Sequence, residues 1–126
     1  MIDSITFDAS HAATLARFWC EVLDDYEIAP YEEQDIADLK SRGIDDVEDD
    51  PNVMCLSASG GPRLFFQKVP EPRTAKSRVH LDVRLRDRAH LDRLIELGAK
   101  IVRGWDDGSG FWMTDPDGND FCALVE

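Results

Sequence analysis

The side chains best suited to chemistry sit in a short alternating run, RVHLDVRL at 78–85. His80 and Asp82 are two residues apart, so in a strand both point to the same face. An imidazole titrates near neutrality and serves as general base, proton shuttle or metal ligand. A carboxylate on the same face either orients the ring or accepts a proton itself. His80 and Asp82 are therefore the candidate catalytic pair, a salt bridge from Asp82 to Arg63 or Arg84 being the competing reading. RLFFQKV at 63–69 adds Arg63, Phe65 and Gln67, and DFCALV at 120–125 adds Cys122. An arginine binds carboxylate or phosphate bidentately. Trp112, in GFWMTD, offers an aromatic wall that suits flat or cationic ligands. These five are the candidate ligand-binding residues.

The elements that must hold these groups follow from periodicity. IDSITFD at 2–8 alternates, with Ile5 and Phe7 on one face, and reads as a half-buried strand. Ser10 is suited to cap the following helix, whose Leu15, Phe18, Trp19, Val22 and Leu23 form one apolar stripe. A weak strand follows near Tyr26–Pro30. Residues 32–52 read as an insertion, a short helix stopped by Gly43 and then the acidic stretch IDDVEDDPN. Strands are expected at 53–58 and 63–69, and PEPRTAKS is a proline-bearing linker. The order then repeats. The strand 78–85 leads into a helix capped by Asp87, with Leu91, Leu94 and Ile95 as its stripe and Gly98 as its stop. Strands at 99–105, 110–115 and 120–125 complete it. His11 and His90 are expected at the surface. Because apolar strand faces must cover the helices, the polar alternates, including His80, Asp82 and Cys122, face away from them.

The totals narrow the function. At 126 residues with 43% hydrophobic and 32% charged residues, the chain is long and apolar enough for one ordinary core. A net charge of −12 repels phosphate backbones and anionic bilayers, so no nucleic acid and no membrane is expected as partner. The same charge favours a cationic ligand by long-range steering. No apolar run reaches the roughly 18–20 residues of a membrane span, and the start lacks the basic and apolar regions of a signal peptide. A cytoplasmic location is expected. Three cysteines without CxxC spacing, Cys20, Cys55 and Cys122, speak against a disulfide framework and read as small buried hydrophobes. The acidic run 45–50 lacks the DxDxDG spacing of a calcium loop. No dinucleotide, P-loop or nucleophile-elbow motif occurs.

ITFDASHAATLARFW, PRLFFQKVPEPRTAKSRVHLDV and GFWMTDPDGNDFCALVE together resemble the vicinal oxygen chelate superfamily, of glyoxalase, bleomycin-resistance protein and dioxygenase type. Within it they are most similar to the glyoxalase-like branch. The resemblance implies an α+β fold of two βαβββ modules whose curved mixed sheets surround a cavity. In this reading 1–126 is a single domain, with a first module at 1–70 carrying the insert 32–52 and a second at 77–126. It implies a small-molecule ligand and a homodimer. In metal-dependent relatives four inward positions carry ligands, and these map to Ser4, Gln67, His80 and Cys122. Only His80 and Gln67 are then expected as metal ligands, an incomplete set that needs a carboxylate from Asp82, Asp120 or a partner chain. The dioxygenase triad of two histidines and a glutamate is absent. The expected function is binding of a small polar or aromatic ligand in a cup lined by His80 and Gln67. The alternative is a divalent-metal lyase or isomerase related to glyoxalase I, using Zn, Ni, Mn or Fe. The resemblance does not decide whether the chain is an enzyme.

Overall fold

The computed structural model describes residues 1–125. Strand β1 (Ser4–Ala9) leads to helix α1 (Ala12–Val22), strand β2 (Tyr26–Ile28) and helix α2 (Glu33–Ser41). A 3-10 turn (Val47–Asp49) precedes β3 (Asn52–Ser57) and β4 (Arg63–Lys68). The second half runs β5 (Leu81–Arg84), α3 (Arg88–Glu96), β6 (Lys100–Gly104), β7 (Gly110–Thr114) and β8 (Asp120–Leu124). The strands form two four-stranded mixed sheets, ordered β1-β4-β3-β2 and β5-β8-β7-β6. In each the first strand of the half pairs parallel with the last, and the other pairs are antiparallel. The repeated element order is the one the periodicity predicts, and the α+β fold with its mixed sheets is the one the resemblance implies.

The α1 stripe explains why the halves pack together. Leu15, Phe18, Trp19 and Val22 are almost fully buried. The ring of Trp19 meets Phe7 of the first sheet at 4.9 Å and Phe121 of the second at 5.2 Å. One apolar cluster thus spans both sheets, and each large side chain in it contributes about 1.5–3 kcal/mol. A polar tie reinforces the contact. The indole N–H of Trp19 donates to Oδ2 of buried Asp115, the first residue of the DPDGN turn, at 3.0 Å.

Several local expectations are corrected. The residue capping α1 is His11, whose Nδ1 accepts the backbone N–H of Thr14, and not Ser10; the Ser10 N–H is drawn instead to Asp117. His90 is buried, with 1% exposure. Its ring bonds the Glu21 carbonyl at 2.7 Å and accepts the Arg86 N–H at 3.3 Å, so α1 supplies a partner that sequence periodicity does not reveal. Strand β5 starts at Leu81, opposite Phe121 of β8, three residues later than the alternation of 78–85 predicts; Val79 stands 78% exposed. The insert is ordered as α2 and the 3-10 turn. It is fastened to α1 by a two-pronged contact of Arg17 with Glu48, both nitrogens at 2.7 Å.

Candidate functional site

The register of the second sheet builds a row of side chains. Asp82 of β5 lies beside Cys122 of β8, which lies beside Trp112 of β7, which in turn lies beside Arg103 of β6. Opposite residues of neighbouring strands share a face, and the helices occupy the other one: Val83, Ala123 and Phe121 are packed in the core. His80 stands just before β5 at the end of this row. Its Nδ1 is 3.4 Å from Oδ1 of Asp82, so the carboxylate partners the imidazole and not Arg63. One donor atom each of His80, Asp82 and Cys122 lies within 4.8 Å of the others.

A cleft of about 260 Å³ opens over this row, lined by Lys76, His80, Arg103, Trp105, Trp112 and Cys122. Both indoles are placed by identifiable causes. Gly110 leaves room for the Trp105 ring; a Cβ there would come within 2.5 Å of it. Trp112 donates its indole N–H to Oδ1 of Asp120 at 3.0 Å, and the Lys76 ammonium sits 5.0 Å above its ring centre. Asp120 is nearly inaccessible and also accepts from Arg73 and from the Ser77 N–H, both at 2.8 Å. Burial would raise its carboxyl, but the bonds from Ser77, Trp112 and Arg73 together hold it below the ordinary carboxylate value. Asp120 thus anchors the linker and Trp112; with both oxygens engaged it is not the carboxylate that completes a metal shell. Burial raises the Cys122 thiol, and the charge and hydrogen bond of Asp82 raise it further.

A second cleft of about 260 Å³ lies between the modules, where Thr6 and Asp8 of β1 meet His80, Leu81 and Asp120. Gln67 is held one residue back from it: its amide donates to Oδ1 of Asp8 at 2.9 Å. Arg63 pairs with Asp3 and lies over the Phe65 ring, on the polar face of the first sheet. The structure therefore gathers His80, Asp82, Trp112 and Cys122 at one place and sets Arg63, Phe65 and Gln67 on the other sheet. With Gln67 matched to Cys122, the registers match Asp8 to Asp82 and Thr6, not Ser4, to His80. The cleft walls Lys76, Arg103 and Trp105 escape sequence reasoning as site residues; Lys76 lies in an aperiodic linker, and only the aromatic pair flanking the DDGSG turn gives a signal.

The donor set is compatible with a divalent ion. Imidazole, carboxylate and thiolate all bind Zn²⁺-type ions at about 2.0–2.3 Å. Donor atoms within 4.8 Å of one another reach such a centre with a small inward turn of the exposed His80 and Asp82 side chains toward half-buried Cys122.

Two βαβββ modules of this topology, with polar faces opposite their helices, define a protein of the vicinal oxygen chelate superfamily. The chain belongs to the glyoxalase-like domain family, whose profile matches residues 4–124. Solved structures agree on the fold. A possible glyoxalase from Bacillus cereus superposes with a TM-score of 0.62 at 11% identity, covering 99% of this chain and 98% of that one. The fosfomycin resistance protein FosX from Mesorhizobium loti gives 0.62 at 17% identity, covering 100% and 91%. FosX from Listeria monocytogenes, complexed with Mn(II) and 1S,2S-dihydroxypropylphosphonic acid, gives 0.63 at 12% identity, covering 99% and 89%. No curated protein matches the sequence. Among the described residues no helix is long and apolar enough to cross a membrane.

Proposed function

We propose that the chain, acting over 1–126 as one glyoxalase-like unit, binds a small, planar, anionic molecule in the cleft beside His80. The observation that carries this reading is the lining itself: two indole rings supply flat apolar walls, and Lys76 and Arg103 supply cations. Arg103 makes no ion pair among the described residues, so its guanidinium is available for a carboxylate. His80 and Asp82 stand ready to move a proton at the ligand. Benzoate is a suitable probe, followed by tryptophan fluorescence. Saturable quenching weakened about tenfold by Arg103→Ala is expected, the typical worth of one charge-assisted hydrogen bond. Quenching that is absent, or indifferent to that substitution, would refute the reading.

The donor trio favours a second reading, a metal-dependent lyase or isomerase. His80, Asp82 and Cys122 would hold the ion, and a divalent ion there polarises a ligand oxygen as a Lewis acid. The Mn(II) complex of the similar FosX supports this. In both readings a homodimer covers Val79, Ile101 and Val102, which stand exposed. Elemental analysis of untagged protein tests the metal: stoichiometric Zn, Ni, Mn or Fe lost in His80→Ala supports it, and metal-free protein that takes up no Zn²⁺ in titration opposes it.

A further inference from the structure

Away from the cleft, two of the three cysteines meet. Cys20, in the last turn of α1, and Cys55, in the middle of β3, place their sulfurs 3.1 Å apart. They are 35 positions apart in sequence, so this contact is made by the fold and not by the chain. The separation is only about 1 Å longer than a covalent S–S bond. Cys55 is fully buried against α1, its thiol also 3.9 Å from the Ala16 carbonyl. Cys20 is half-buried and lines a surface cleft with Arg17, Tyr26, Glu27 and Arg93, which opens it to small reagents.

We propose that Cys20 and Cys55 form a reversible redox site, in which a hydroperoxide converts the two thiols to a disulfide that clamps α1 to the first sheet. The chemistry balances without any further reactant. The Cys20 thiolate attacks one oxygen of hydrogen peroxide, the O–O bond breaks, and a sulfenic acid forms while the departing hydroxide takes up the proton that the Cys20 thiol shed and leaves as water. The Cys55 sulfur then attacks the Cys20 sulfur. The S–S bond forms, the S–O bond breaks, and the hydroxide leaves with the Cys55 proton as a second water. Both sulfurs are oxidised by one electron each and the peroxide is reduced by two. The arrangement assigns the roles. Cys20, the more accessible of the two, receives the oxidant. The hydrogen bond with Cys55 lowers its pKa, against burial and the charge of Glu27, which raise it. Cys55, shielded from solvent, is the resolving partner.

Closure needs side-chain rotation and a shift of about 1 Å, within reach of a residue one turn from the end of a helix. Cys122 is on the other sheet and belongs to the separate cleft, so the pair acts independently of the proposed ligand site.

The test uses the full chain with Cys122→Ser to leave one pair of thiols. The protein is exposed to hydrogen peroxide, quenched by alkylation and digested with trypsin without reductant. The expected product is a monomer lighter by about 2 Da, in which the tryptic peptide 18–40 is joined to 43–63, and dithiothreitol restores both thiols. The same treatment of wild type should give the same bridge with Cys122 still alkylatable. A Cys20 that stops at sulfinic or sulfonic acid, a bridge between two chains, or two thiols still alkylatable after oxidation would each overturn the proposal. Cys20→Ser, checked for folding by circular dichroism, should leave Cys55 unoxidised under the same conditions; rapid oxidation of Cys55 in that variant would reverse the assigned roles and also overturn it.

Discussion

Asp120→Asn tests whether one buried carboxylate both fastens the linker and aims Trp112. The side chain of Asp120 is 2% exposed and accepts three hydrogen bonds, from Trp112, Arg73 and the Ser77 backbone. An amide has one acceptor and one donor end. Turned either way, its NH₂ faces a donor, Trp112 on one side or Arg73 and Ser77 on the other. The substitution therefore loses at least one hydrogen bond to a charged acceptor and the charge of the Arg73 pair. At about 1.5–3 kcal/mol per such bond, and with the half-exposed Arg73 pair discounted for solvent, the expected cost is about 2–4 kcal/mol. Urea unfolding followed by circular dichroism measures it. The pH dependence supplies an independent check. The folded-state pKa of Asp120 lies below its unfolded value of 3.8, so its stabilisation is present in full above that value. It is lost as pH falls through the depressed folded pKa, and the gap between wild type and variant should close over that range. A cost under about 1 kcal/mol at neutral pH, or a gap that widens on acidification, would show that Asp120 does not carry this role.

Three further outcomes follow from the same geometry. Asp115→Asn should destabilise by about 3 kcal/mol, because the buried carboxylate accepts from Trp19, Asn119 and the Asp117 backbone; combined with Trp19→Phe in a double-mutant cycle, it should show a coupling of about 1 kcal/mol or more. His90→Leu should cost about 2 kcal/mol, leaving the Glu21 carbonyl and the Arg86 N–H unpaired in the core, while a cost near zero in thermal unfolding would mean that water replaces the ring. Calorimetric Zn²⁺ affinity should rise with pH, because Cys122 must shed a proton that burial and Asp82 hold above the ordinary thiol range; Cys122→Ser should lose most of that dependence.

The sequence reveals the two sheets because strand alternation and helix stripes are local signals. Leu15, Phe18, Trp19 and Val22 announce a buried helix face wherever that helix packs. The closeness of His80 to Asp82 is legible for the same reason, since the two are two positions apart in an alternating run, although His80 stands just before β5. What lies between elements is less legible. Nothing in the neighbourhood of His90 foretells the Glu21 carbonyl, and no periodicity in PEPRTAKS foretells Lys76 above Trp112. The separation of Gln67 from the His80 group is of this kind too. It depends on how the sheets meet along β1 and β5, where Asp8 takes the Gln67 amide for itself. The sulfur contact of Cys20 and Cys55 is likewise tertiary. Counting cysteines argues against a disulfide framework, but it does not reveal that a helix brings two of the thiols together.

The sign of the ligand's charge separates two scales of electrostatics. A net charge of −12 taken as a uniform field favours cations and repels anions. At physiological ionic strength, however, fields fade over about 8 Å. The groups that count are then those lining the cleft, where Lys76 and Arg103 outweigh Asp82, itself neutralised in part by its contact with His80 when the ring is protonated. The acidic run 45–50 belongs to the first module, beyond α1. The two pictures predict opposite salt effects. If the local cations govern, benzoate affinity falls as sodium chloride rises, because screening removes an attraction. If the net charge governs, affinity rises, because screening removes a repulsion. Titrations from low to high salt, with Arg103→Ala as the control that should flatten or reverse the slope, read the difference directly. A rising affinity in wild type would count against an anionic ligand for this cleft.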